Sequence, residues 1–263
     1  MPAHELYRGN HWHVAKQLPS IAQEVGQDLS MWVASAGYGL LPCDAAIVSY
    51  AATFSPGSPD SVTRPGGTSL DNVEWWSALS QWPGPTVAHR SLAELAAAEP
   101  DSKILIAVST AYLSAMTVDI EQAAGKLQSP TDLMLICAGP IPKALEQYAL
   151  PGDARLQHTL GGSRQSLNAR IARRLIETAA EHRFETTKVH HYLKSMIDVA
   201  PDLKVYDRER LDQDAVKAYI ENAYKHNPAV TKTSLLRRFR DDGLACEQKR
   251  FGEIFTNVTK ANR

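Results

Sequence analysis

No apolar run in this chain approaches the roughly 20 residues that a bilayer-crossing helix needs, so no membrane partner is expected. The first sixteen residues are polar, carry His4, His11 and His13, and lack the apolar core of a signal peptide. Only three cysteines occur, Cys43, Cys137 and Cys246, an odd number and far apart. That excludes a disulfide framework and a cysteine zinc motif, and fits a reducing cytoplasm. Charge of one sign is missing too. Lys and Arg number 28 against 29 Asp and Glu, a net of −1, so global charge announces neither a nucleic-acid nor a membrane partner. A Walker lysine is absent, as is a Gly-x-Gly-x-x-Gly after a strand, so no nucleotide cofactor is implied. His190 and His191 are adjacent and point in different directions, so no shared metal is expected either.

What is present begins with an apolar run, 31–35, that ends in the corner Ser35-Ala36-Gly37-Tyr38-Gly39. It reads as a buried strand entering a tight turn. A long polar, proline-rich loop, 42–67, follows and holds Asp44, Tyr50, Thr53 and Ser55. Long ordered loops at strand ends tend to carry function. Two further apolar runs, 103–109 and 132–138, read as buried strands. Helical patterns fall at 12–27 (interrupted near Pro19), 70–82, 91–99, 111–127 and 165–182, with Ser91 and Glu94 spaced as a capping box. Strands separated by helices predict an α/β fold with a mainly parallel sheet flanked by helices. Ligands of such sheets bind beyond the strand ends. That places Ser35, Tyr38, Asp44, Tyr50, Ser109 and Tyr112 around one pocket.

Further along, Gly161-Gly162-Ser163-Arg164 precedes a helix that includes Asn168. Free amides at a helix start and an arginine form an anion site, or else a flexible turn with an ordinary cap. Cys137 reads as a buried small hydrophobe, and Cys43 as a candidate nucleophile.

The α/β domain is expected over 1–199, a polar linker over 200–210, and a small all-α, helix-turn-helix-like domain over 211–263. Its helices are expected at 211–226, 231–241 and 246–260. Leu235, Leu236, Phe239, Leu244, Phe251, Ile254 and Phe255 would form its core. Lys232, Thr233, Arg237, Arg238, Gln248, Lys249 and Arg250 would face DNA, with Asp241, Asp242, Glu247 and Glu253 diluting their charge. A helical protein-interaction domain is the alternative.

Leu6-Tyr7-Arg8-Gly9, the corner Ser35 to Leu41, the segment Ile47 to Thr53 with Tyr50, and Ser109 to Tyr112 together resemble the YaaA-like superfamily. The resemblance spans roughly 6–175. The superfamily's opening strand, with a cysteine-serine and a lysine, has no counterpart here. The resemblance implies DNA binding and a place in DNA-base modification or phage defence. On that reading Tyr38 and Tyr50 stack on a base and Asp44 accepts a proton or activates water. Arg8, Ser35, Thr53, Ser109, Tyr112, Gly161, Gly162, Arg164 and Asn168 contact the nucleotide. The reaction would be glycosidic cleavage, base exchange or conversion of a deazaguanine-type base. The alternatives are a non-catalytic DNA-binding adaptor that recruits a partner protein, and a nucleotide-sensing regulator.

Overall fold

The computed structural model describes residues 1–63, 67–86, 89–203 and 207–261. The chain forms two compact units, Met1–Asp202 and Leu203–Arg263.

In the first unit the corner decides the topology. Strand β1, Trp32–Ser35, turns back at once into β2, Gly39–Pro42, and the two pair antiparallel from Trp32↔Pro42 to Ser35↔Gly39. A second ladder joins β3, Ile104–Ala107, to β4, Leu133–Ile136, in parallel. Among the described residues these are separate two-stranded sheets, where a single mainly parallel sheet was expected. The cause is local. Both amides after the corner are held by the Ser35 hydroxyl, so the nearest partner in sequence closes on β1 with a very short loop. The mixed α/β character holds, with helix predominating.

Strand β4 is buried along its whole length. Leu133 and Leu135 join a core with Phe54, Trp76, Leu113 and Ile120, while Met134 and Ile136 join another with Leu156, Ile171, Leu175 and Leu193. Its continuous apolar run thus marks a strand covered on both faces.

Helices end where their sequences stop supporting them. The expected helix over 12–27 divides into Asn10–Ala15 and Leu18–Glu24, with Pro19 in the first turn of the second, where a missing N–H costs nothing. Ser91 caps Leu92–Ala98 by accepting from Glu94 N at 3.0 Å. The Glu94 carboxylate reaches back to Arg90 N at 2.7 Å. Buried Asp119 takes two more amides of that helix, Leu92 N and Ala93 N, and the Trp76 indole N–H. The expected helix over 165–182 is Leu167–Glu177 followed by Ala179–His182. It stops at two left-handed residues, Arg183 and Phe184. His182 holds that reversal: its Nδ1 accepts from Phe184 N at 3.0 Å, which leaves Nε2–H to donate to Leu175 O at 3.1 Å.

The second unit packs helices Gln213–His226, Lys232–Asp241 and Gln248–Ala261. Asp212 and Thr231 cap the first two through Ala215 N and Ser234 N. Leu235, Leu236, Phe239, Phe251 and Ile254 are buried with Val216 and Ile220, and Leu244 and Phe255 are half-buried beside them. A two-residue parallel ladder, β5 Glu209–Arg210 with β6 Leu244–Ala245, adds to the expected all-α content.

Candidate functional site

The corner after β1 gathers hydroxyls from distant parts of the chain. Ser35 Oγ accepts from Gly37 N at 3.2 Å and Tyr38 N at 3.1 Å. It lies 2.7 Å from the Tyr50 hydroxyl, which lies 2.8 Å from the Tyr7 hydroxyl. Gly37 is required by this packing, because a Cβ there would sit 2.4 Å from the Tyr50 ring. Tyr112 comes to the same corner, beside the Thr53 hydroxyl and the Ala36 backbone. The Ala36 carbonyl accepts from the Trp75 indole at 2.8 Å. The aromatic rings run on from there. Tyr7 stacks on Trp12 at 4.8 Å, Tyr38 meets Tyr50 edge-on at 5.1 Å, and Tyr38 lies 6.1 Å from Trp82.

Burial disfavours the phenolate at two of these phenols, Tyr7 and Tyr112. Burial pushes Tyr7 far above the ordinary phenol range, and the neighbouring Tyr50 adds to the effect. Tyr112 is pushed up to about 12, chiefly by burial, against the Thr53 and Ala36 hydrogen bonds. The Tyr38 hydroxyl is engaged elsewhere. It donates to Val48 O at 3.1 Å and accepts from Val48 N at 3.4 Å, so it ties the polar loop to the corner.

Behind the corner stands Arg90, only 7% exposed. Its guanidinium donates to three carbonyls, those of Trp82 at 3.1 Å, Leu40 at 2.8 Å and Tyr38, and lies over the Trp82 ring at 5.7 Å. Sequence reasoning passed over Arg90, because two of its three partners, Leu40 and Tyr38, lie about 50 residues upstream. Tyr7 was read only as part of a motif. Its signal was there, in Leu6-Tyr7-Arg8-Gly9, but nothing local foretells its bond to Tyr50.

Ser35, Tyr38, Tyr50, Thr53 and Tyr112 therefore meet. Asp44 and Ser109 have no hydrogen bond, ion pair or ring contact that joins them to this group among the described residues. Asp44 is exposed on the turn after β2. Burial, then the charge of Asp44, pushes the Cys43 thiol up, which keeps it from being a thiolate nucleophile. Ser109 is exposed and does not cap the helix Thr110–Ala115 that follows it. Asn168 ties the ends of the parallel ladder: it donates to Val108 O at 2.7 Å and accepts from Ala138 N at 2.9 Å.

Arg8 and Arg164 are exposed. Gly162, with φ +72, makes room for a guanidinium of the chain itself, since a Cβ there would lie 2.2 Å from Arg170 Nε. Arg170 donates to Leu160 O and Ser166 Oγ across the Gly161–Gly162 turn. Residues 7–12 lie between this turn and the tyrosine corner. Asn10 donates to Ser163 Oγ at 3.3 Å, and half-buried His11, its pKa lowered by burial, bonds the Gln165 backbone.

In the second unit Lys232, Thr233, Arg237, Arg238, Gln248, Lys249 and Arg250 are exposed. An open groove of about 900 Å³ is lined by Lys232, Gln248 and Lys249, but also by Glu247 and Glu253. The Glu247 carboxylate accepts from Lys249 N at 2.8 Å and Arg250 N at 2.9 Å, so the start of the third helix is already capped by a negative charge. Arg238 lies 4.0 Å from Asp242. Charge divides between the units. Residues 1–202 hold 15 Lys and Arg against 20 Asp and Glu, and residues 203–263 hold 13 against 9. The near-neutral total thus conceals an acidic unit and a basic one.

Among the described residues no group of three or more His, Cys, Asp or Glu could hold a metal ion, and no helix is long and apolar enough to cross a membrane. No family model, characterised protein or solved structure matches the chain.

Proposed function

We propose that the chain is a DNA-associated nucleobase-recognition protein of the YaaA-like type, acting in a DNA-modification or phage-defence setting. The observation that carries the reading is the meeting of Tyr7, Ser35, Tyr50, Thr53 and Tyr112 at one corner, from four separate stretches of chain. Phenols and hydroxyls beside aromatic rings suit a base, which offers a stacking face and a polar edge. Recognition is favoured over turnover because Asp44 has no side-chain partner among the described residues and burial pushes the Cys43 thiol up. The helix-turn-helix-like second unit would bind DNA through its basic residues, and the net of +4 on residues 203–263 supports this.

A base-modifying enzyme is the second reading. It is favoured by the long loop that brings Tyr50 and Thr53 back to the corner. One experiment separates the two: incubate DNA with the protein, digest it, and weigh the nucleosides by mass spectrometry, alongside direct titration with nucleosides. Binding without any change in nucleoside mass supports recognition. Altered nucleosides support the enzyme, and neither binding nor alteration removes both.

A further inference from the structure

Exposed apolar side chains are ordinary when they are scattered. Three in the first unit are not. Val48 is 72% exposed, Trp75 43% and Trp82 42%, and of the five tryptophans only these two are exposed. The helix Ser69–Gln81 buries Trp76 and leaves Trp75 and Ala78 in solvent. Trp82 N donates to Ala78 O at 3.1 Å, so Trp82 continues the helical turn. Trp75, Ala78 and Trp82 thus fall on one stripe, at i, i+3 and i+7. The two tryptophans are about 10 Å apart along the axis, with the small Ala78 as a notch between them. Tyr38 joins the stripe to the polar loop: its ring lies 6.1 Å from Trp82, and its hydroxyl bonds the Val48 backbone. The result is one contiguous aromatic patch, and patches of this kind mark interaction surfaces.

The charge in this part of the chain has one sign. Between Lys16 and Arg90 the sequence holds six acidic residues against a single cation, Arg64, which lies outside the described residues. Asp71 and Glu74 stand one turn before Trp75 and Ala78 on the same helix. Neither has an ion-pair partner among the described residues. Arg90 is buried and spends its guanidinium on three carbonyls. We propose that the patch docks an amphipathic helix of a partner protein, one that carries Lys or Arg beside its apolar face. An apolar side chain of that helix fills the Ala78 notch, as knobs fill holes between packed helices. Its cations meet Asp71 and Glu74. A second copy of this chain would set the same acids against each other, and nucleic acid would bring phosphates to them. The inference goes beyond the nucleobase reading and does not depend on it.

The test uses the full chain and two designed peptides of about 18 residues, long enough to hold a helix. Both carry the same leucine face and no tryptophan, one flanked by lysines and the other by glutamates. Tryptophan emission reports docking. The lysine peptide should bind at least about tenfold tighter than the glutamate peptide, and its affinity should fall as salt rises. Ala78→Lys, which fills the notch at an exposed position, should weaken that binding by about tenfold or more. Ala97→Lys makes the same charge change at an exposed position of the helix Leu92–Ala98, off the stripe, and should bind like the wild type. No binding of the lysine peptide, equal binding of the two peptides, an affinity untouched by Ala78→Lys, or an equal loss in both variants overturns the inference. Sedimentation that finds a wild-type dimer dissolved by Ala78→Lys gives the face to a second copy and overturns it as well.

Discussion

The two units bury different things. Every buried polar side chain among the described residues lies in the first unit: Ser35, Asn72, Arg90, Asp119, Ser166 and His182. The second unit buries only apolar side chains, Val216, Ile220, Leu235, Phe239 and Phe251 among them. Hydrophobic burial is non-directional and tolerates small shifts. A buried polar group must instead meet its partners at hydrogen-bond distance, or it destabilises the fold. The first unit is thus held by specific chain crossings and the second by an amphipathic pattern. The difference extends to charge, with the first unit acidic and the second basic.

The comparison is open to direct tests, because all five tryptophans, Trp12, Trp32, Trp75, Trp76 and Trp82, lie in the first unit. Tryptophan fluorescence follows that unit alone, while far-ultraviolet circular dichroism follows both. The largest effect is expected from Arg90→Leu. It leaves the carbonyls of Tyr38, Leu40 and Trp82 unpaired in a buried site and should cost about 3–5 kcal/mol. Urea unfolding should shift strongly by fluorescence while a dichroism transition from the second unit stays in place. A single transition that shifts as a whole would mean that the units unfold together.

Gly37→Ala comes next. Its methyl would drive into the Tyr50 ring, and overpacking of this kind costs about 1–3 kcal/mol. The same variant should lose nucleoside binding, since Tyr50 is displaced from its contacts with Ser35 and Tyr7. Unchanged stability and binding would show that the corner is looser than its contacts imply.

Changing Lys249 and Arg250 together to alanine tests the other unit. If both neutralise phosphates, DNA affinity should fall for every sequence, and the log–log salt slope should flatten by at most about 2. The fluorescence-detected stability of the first unit should not move. Unaltered DNA binding would shift the basic contacts to Arg237 or to residues outside this helix.

The smallest effect is a pH window. Burial lowers the pKa of His182, whose Nδ1 must stay unprotonated to accept from Phe184 N. A lowered folded-state value means that stability is complete above the ordinary value of 6.5 and is lost as pH falls through the folded value. In the second unit Glu247 is held below its ordinary 4.5 by the Arg250 and Lys249 amides, so its contribution disappears only in the carboxylate range. Urea midpoints at pH 7.5 and 5.5 should therefore differ by fluorescence and coincide for the second dichroism transition. An unchanged fluorescence midpoint would remove His182 from the account.

Much of the second unit was legible in advance, and the reason is periodicity. Leu235, Leu236 and Phe239, with Phe251 and Ile254, fall at helical spacing, and Asp212 and Thr231 are local caps. The two-residue β5–β6 ladder was not foreseen, because its partners are more than 30 residues apart and carry no strand pattern. In the first unit the apolar runs of β1, β3 and β4 and the Ser91 cap were equally plain, although only β4 is buried throughout, β1 alternating and β3 burying Ile106 alone. Their pairing was not. An apolar run states that a strand is buried without saying beside what, and here the Ser35 turn returned β1 onto β2.

The sequence by itself determined many of the helices, the apolar strand runs, the core of the second unit and the residue types at the corner, because each is set by neighbours within a few positions. Tertiary structure alone decided which of those residues work together. Tyr7 reaches Tyr50 across 43 positions, Arg90 reaches Leu40 across 50, and Asn168 reaches Val108 across 60. Hydrogen bonds act over about 3 Å and carry no trace along the chain, so only the folded backbone could bring their two halves together.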